Sequence, residues 1–159
     1  MNIRPAVDAD ALAIAAIWNS EIRQGVSTFN AVEKTTAEVQ ALIAARAGAF
    51  FVAENDGQPL GFATYSQFRG GVGYAHSMEH TVYLAAAARG QGVGRKLMAH
   101  LEKAARNKGV HVLVAGIGGE NTAAIAFHAA LGYAETGRLP QVGRKFDRWM
   151  DLVLMQKIL

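Results

Sequence analysis

The sequence predicts a single α/β (α+β) domain over residues 1–159, a mixed sheet with helices on both faces in the order β-α-α-β-β-β-α-β-α-β-β. Three observations carry this. Short β-branched and aromatic runs alternate with segments whose apolar residues recur every three to four positions. Asn55-Asp56-Gly57 separates two apolar runs, and an Asp-Gly pair tolerates the positive φ angles of a tight hairpin. Arg89-Gly90-Gln91-Gly92-Val93-Gly94 joins a strand pattern to a helix pattern. No internal repeat or low-complexity linker marks a domain boundary.

Residues 2–7 alternate enough for a first strand. Asp8 is placed to N-cap a helix carrying Leu12, Ile14, Ile17 and Trp18. Residues 25–35 read as a loop. Thr35 or Thr36 caps a second helix to about Arg46, with Val39, Leu42 and Ile43 on one face. Residues 50–54 and 60–66 are the hairpin strands. A glycine-rich loop, Gly70-Gly71-Val72-Gly73, leads into a strand ending at Leu84. Val93, Leu97, Leu101 and Ala104 follow at helical spacing, and that helix stops near Gly109. Residues 110–117 read as a buried strand. Asn121 or Thr122 starts a helix ending at Gly132. Residues 133–136 are short and extended, and a last strand covers about 148–156.

The composition narrows the function classes. The chain is 51% hydrophobic and 18% charged, ordinary for a globular protein that buries its own core. With no cysteine there is no disulfide scaffold, thiolate zinc site or cysteine nucleophile. Met1-Asn2-Ile3-Arg4-Pro5 has no apolar leader pattern, and no apolar run reaches the roughly 18 residues of a membrane span. The expectation is a soluble, cytoplasmic protein. The net charge of +3 is scattered rather than clustered, which suits an acidic small molecule and offers no nucleic-acid run.

The glycine loop is the sharpest chemical signal. Bare N–H groups at a helix start lack intrahelical partners, and the helix dipole favours negative charge there. The site expected over Arg89, Gly90, Gln91, Gly92, Val93, Gly94 and Arg95 is therefore an anion cradle. It is no P-loop, because Lys96 is followed by Leu97. A dinucleotide fingerprint fails too: the pattern is G-x-G-x-G, late in the chain, and Val114 stands where an acid is needed.

About 27 residues later come Asn121, Ala124, Phe127, His128, Leu131, Gly132 and Tyr133. The joint pattern, R-x-x-G-x-G then N-x-x-A-x-x-F-H-x-x-L-G-Y, resembles the GNAT superfamily of acyl-CoA-dependent N-acetyltransferases. Gln67-Phe68-Arg69, Glu79-His80-Thr81-Val82-Tyr83 and Pro140-Gln141-Val142-Gly143-Arg144-Lys145-Phe146-Asp147-Arg148-Trp149-Met150-Asp151 are similar to its phosphinothricin / methionine sulfoximine branch. Departures are Ala75 for an Arg, Thr81 for a Ser and Asp147 for a Gly. The resemblance implies a mostly antiparallel sheet, acetyl-CoA as cosubstrate with no metal, and a small amine substrate. It also implies a homodimer with pockets near the subunit interface. Cofactor contacts would then come from Val82, Tyr83 and Leu84 along the pantetheine arm, from the glycine loop at the diphosphate, and from Asn121. A peptide or protein N-terminal acetyltransferase and a CoA-binding sensor without turnover are the alternatives.

Each candidate residue has two readings. Glu79 is a general base or an anchor for a substrate ammonium, against a solvated strand residue. His128 is a general acid or a packed helix residue beside Phe127. Arg69 is a carboxylate clamp or an exposed loop charge. Phe29 lines the substrate pocket or joins the core, and His80 and Thr81 sit with Glu79 as substrate contacts. N–H groups near Tyr83-Leu84 would face an oxyanion. His76-Ser77-Met78-Glu79-His80 also spells H-x-x-E-H, a zinc-hydrolase pattern. That chemistry needs both histidines one helical turn apart, and this segment reads as a strand.

Overall fold

The computed structural model describes residues 1–159. The strands are β1 (Asn2–Pro5), β2 (Phe50–Asn55), β3 (Gln58–Gln67), β4 (Ser77–Leu84), β5 (Val112–Gly118), β6 (Ala134–Lys145) and β7 (Arg148–Ile158). The helices are α1 (Ala11–Gln24), α2 (Thr36–Ala45), α3 (Val93–Asn107) and α4 (Thr122–Ala130). All seven strands lie in one sheet, ordered β1-β2-β3-β4-β5-β7-β6. Only β4 and β5 pair in parallel; every other neighbour is antiparallel. Mixed, mostly antiparallel and helix-flanked is the architecture expected.

Alternation along the strands divides the core in two. Phe50 and Phe51 are adjacent and both buried. Phe50 joins Phe62, Trp18, Ile14 and Val39 under α1 and α2. Phe51 joins Leu97, Leu101, Leu113 and Met155 under α3. Each such side chain contributes about 1.5–3 kcal/mol on leaving water.

Local signals set most boundaries. Asp56 and Gly57, at φ 48° and 79°, turn the β2–β3 hairpin. Thr35 caps α2: its hydroxyl accepts from the Glu38 N–H while the Glu38 carboxylate accepts from the Thr35 N–H.

Three expectations are corrected. Asp8 does not cap α1. A 3₁₀ turn, Asp8–Asp10, comes first. The buried Asp10 carboxylate accepts the Val7 N–H at 2.9 Å and two guanidinium hydrogen bonds from Arg4 at 2.8 and 2.9 Å. Arg4 on β1 selects which aspartate does the work. Leu12 faces solvent, because α1 turns Ile14, Ile17 and Trp18 inward. The short extended stretch expected at 133–136 is the start of the twelve-residue β6. Pro140 hid its length, and a proline is admissible because β6 is a sheet edge. The register shifts between Leu139 and Gly143, with Gln141 at φ 56°.

Candidate active site

The site originates in a gap in the sheet. β4 and β5 are paired at Ser77↔Val112, Met78↔Leu113 and Glu79↔Val114, and nowhere beyond. β4 then follows β3 as far as Gly61↔Leu84, while β5 follows β7 as far as Gly118↔Leu152. The strands part after Glu79 and leave a wedge-shaped cleft of about 250 Å³. Its walls are residues 79–83 of β4, 115–118 of β5, Ala124 and His128 of α4 with its N-cap Asn121, and Ser27, Thr28 and Phe29 from the α1–α2 loop.

Parting exposes main chain. Phe68 N–H donates to the Ser77 carbonyl and Ala85 N–H to the Leu60 carbonyl. In an antiparallel ladder this sends the odd-numbered residues of β4 toward β3. Val82 and Leu84 therefore turn their N–H and C=O groups into the wedge, and His80 its C=O, while the His80 N–H completes the last β4–β5 pair. Of the two amides expected to face an oxyanion, only that of Leu84 points there, because that of Tyr83 is engaged with β3.

Side chains sort the same way. Glu79, Thr81 and Tyr83 occupy one face of β4, and His80 and Val82 the other. Glu79 is reached by water from the cleft mouth. The surrounding protein still pushes its carboxyl above the ordinary range by desolvation. Burial raises the Tyr83 phenol, reinforced by the negative charge of Glu21.

His80 and His128 are both buried and joined Nε2 to Nε2 at 2.9 Å. His128 Nδ1 also lies 2.8 Å from the Ala124 carbonyl oxygen. Tyr133 stands edge-on to both rings, at 5.3 Å from each. Burial, with His128 alongside, pushes His80 down to about 3. Burial also lowers His128, against the upward pull of the Ala124 carbonyl. His80, expected at the substrate, is thus turned to α4.

The glycine loop lies at the start of α3. Gly90 and Gly92 sit at φ 75° and 77°, in the left-handed region, with open space where a Cβ would project. Gly92 is the N-cap of α3 and no side chain caps that helix. The first intrahelical bond is from Lys96 N–H to the Gly92 carbonyl, so the N–H groups of Val93, Gly94 and Arg95 have no helical acceptor. Gly94 has a packing role too: a Cβ there would meet Phe127 Cζ at 3.2 Å. The guanidinium of Arg89 pairs with Glu21 on α1, and the Gln91 side chain donates to the Ala87 carbonyl at 2.7 Å.

The α1–α2 loop is held from several directions. Asn121 caps α4 through Ala124 N–H at 3.1 Å and donates to Ser27 Oγ at 2.9 Å. Phe29 lies against Gly143, where a Cβ would stand 2.3 Å from its ring. The buried Lys145 ammonium donates to the carbonyls of Glu21, Gly25 and Thr28 at 3.3, 2.7 and 2.9 Å. Phe29 therefore forms part of the cleft wall. Ser27 and Thr28 were not singled out in the sequence, and Lys145 entered only as part of the branch motif, with no role. A lysine that serves a loop 117–124 residues away leaves no local pattern.

Two candidates lie elsewhere. Arg69 is outside the cleft, with its guanidinium 5.4 Å from the Tyr74 ring. The H-x-x-E-H residues do not converge: His76 Nδ1 meets the Gly109 carbonyl at 3.0 Å, and His80 meets His128. No helix is long and apolar enough to cross a membrane.

Comparison with known proteins agrees with this geometry. The model of the acetyltransferase (GNAT) family matches residues 15–133. The L-methionine sulfoximine/L-methionine sulfone acetyltransferase of Salmonella typhimurium is 39% identical, over 98% of this chain and 93% of its own. The crystal structure of a ribosomal-protein-alanine N-acetyltransferase from Brucella melitensis superposes with a TM-score of 0.96 at 43% identity, covering all of both chains. A phosphinothricin acetyltransferase of Sinorhizobium meliloti, solved in complex with acetyl-CoA, does so with 0.94 at 32% identity, over 99% of this chain and 88% of its own.

Proposed function

The chain belongs to the acetyltransferase (GNAT) family, and on that footing we propose that it transfers the acetyl group of acetyl-CoA to the primary amine of a small amino-acid-like substrate. The substrate is of the methionine sulfoximine, methionine sulfone or phosphinothricin type. The observation that carries this reading is the wedge between β4 and β5, which opens beside the carboxylate of Glu79, with the uncapped start of α3 following β4 in the chain.

The donor supplies a thioester-activated acetyl group. Unpartnered N–H groups of Val93, Gly94 and Arg95 suit its diphosphate. The wedge-facing main chain of Val82 and Leu84 suits the amides of its arm. Asn121 stands in the same wall with an amide hydrogen to give. Arg89, paired with Glu21, braces the loop against α1.

A protonated amine has no lone pair. Glu79, with its carboxyl raised by desolvation, takes that proton, directly or through water. As the C–N bond forms and the C–S bond breaks, a wedge-facing N–H of β4 faces the oxygen on which negative charge develops. The nitrogen's second proton passes through water to the leaving sulfur, since both ring nitrogens of His128 are engaged within the protein. Holding amine and acyl carbon together supplies much of the rate.

The homodimer is part of the proposal. Leu139, Val142, Phe146 and Trp149 are exposed apolar residues on the β6–β7 hairpin, an apolar strip suited to a second copy. A soluble cytoplasmic enzyme fits an acyl donor made inside cells.

A thiol-release assay with acetyl-CoA and a panel of amines tests the reading. Turnover of methionine sulfone, methionine sulfoximine or phosphinothricin is expected. The likeness to the ribosomal-protein-alanine enzyme favours a second reading, N-terminal acetylation of a peptide. Turnover of alanyl peptides alone establishes that one. Binding of acetyl-CoA with no thiol release from any amine makes the protein a sensor and refutes both.

A further inference from the structure

The His80–His128 contact joins the two halves of the sheet just where their main chains separate. Glu79↔Val114 is the last β4–β5 pair, His80 is the next residue of β4, and His128 belongs to α4, which follows β5. Two nitrogens 2.9 Å apart share one proton. Its owner follows from the remaining contacts. A carbonyl oxygen can only accept, so His128 Nδ1, 2.8 Å from the Ala124 carbonyl, carries a hydrogen. In a neutral ring its Nε2 is then the acceptor. His80 Nε2 is the donor, and His80 Nδ1 is left as a bare lone pair. That nitrogen is buried and has no hydrogen-bond partner. A free acceptor is what this proton order requires there.

We propose that His80 is a positioning residue for acetyl transfer: its Nε2–H fixes the proton of His128 on Nδ1 and clasps α4 to β4 at the mouth of the split. The catalytic part of this rests on the acetyltransferase reading above. His128 then serves as a neutral wall of the cleft, with no hydrogen to release into it. The side-chain bond replaces the main-chain pair that the diverging strands give up. Tyr133, edge-on to both rings, keeps them from turning.

The proton order is read by long-range ¹H–¹⁵N correlation of the imidazoles. The chain has five histidines, so His128→Gln and the His80 variants assign the two signals by loss. The resting protein is expected to show His128 as the Nδ1–H tautomer and His80 as the Nε2–H tautomer. In His80→Leu, which fills similar space without a donor, the single His128 tautomer is lost. Its kcat falls roughly tenfold, the rate equivalent of one buried hydrogen bond, while KM for acetyl-CoA holds. His80→Gln, whose amide can donate to His128 Nε2, restores the signature and part of the rate. A wild-type His128 protonated on Nε2 overturns the proposal. So does a His80→Leu enzyme as active as His80→Gln, which is the result that packing alone predicts. Should no amine be acetylated by the wild type, the acetyltransferase reading fails, while the spectrum still decides the proton order.

Discussion

The ammonium of Lys145 lies 2.7 Å from the carbonyl oxygen of Gly25, a contact spanning 120 residues of chain. With its bonds to Glu21 and Thr28, it fixes the segment that presents Ser27, Thr28 and Phe29 to the cleft. Lys145→Met keeps the volume and removes all three bonds. The expected result is a rise of roughly tenfold in KM for the amine, about 1.4 kcal/mol, within the range of a single hydrogen bond. KM for acetyl-CoA stays put. Initial rates with each substrate varied in turn check this, and an unchanged amine KM refutes the assignment of the loop to the substrate.

Glu79→Gln removes the proton acceptor and keeps the shape. General-base catalysis is worth about 10²–10⁴ in rate, so kcat falls by that order while acetyl-CoA affinity persists. Desolvation raises the carboxyl, so the wild-type acid limb lies above the ordinary glutamate range, with rate rising as pH climbs through it. The folded form then binds a proton more tightly than the unfolded chain. Stability from this group is greatest below the unfolded value and declines as pH rises to the folded one. The variant loses the acid limb and is no less stable at neutral pH. A pH–rate profile identical to wild type removes Glu79 from the mechanism.

Gly92→Val forces a β-branched residue to φ near 77° and places a side chain in the open cradle. Left-handed strain costs about 1–2 kcal/mol of stability. Acetyl-CoA affinity, measured by calorimetry, is expected to fall by more than that strain explains. An affinity equal to wild type in a folded variant means the diphosphate binds elsewhere.

Asp10→Ala probes the start of α1. The Arg4 hydrogen bonds, and to a lesser degree the Val7 N–H, hold this carboxyl below its ordinary 3.8. Their stabilisation is present above the unfolded value and lost as pH falls through the folded one. The loss expected at neutral pH is about 2–3 kcal/mol, the size of a charged hydrogen bond plus a helix cap. Urea melts of both proteins should differ at pH 7 and converge toward pH 2. A constant difference across that range assigns the effect to packing.

Legibility followed the distance over which a signal acts. The Asp56-Gly57 turn and the Thr35 cap were readable because a backbone requirement selects the residue within four positions. The turn at Gly90 and Gly92 was readable for the same reason, and the likeness of separated motifs supplied the family. The choice of Asp10 over Asp8 was not, because Arg4 makes it from a neighbouring strand. The partner of Arg89 is 68 residues away, and that of His80 is 48. Neither leaves a mark in local spacing. The length of β6 was masked by Pro140 and by a mostly exposed edge that shows no apolar alternation.

The parting of β4 from β5 has a mechanical corollary. Three register pairs hold a four-stranded leaf to a three-stranded one. Peptide bonding is thinnest along that spine, so amide hydrogens flanking it should exchange with solvent sooner than those inside either leaf. A guest lying between the leaves touches both, and its affinity is added to the joint where the protein has least of its own. Reactant and splint become one molecule, and the enzyme is firmest while it is charged for reaction.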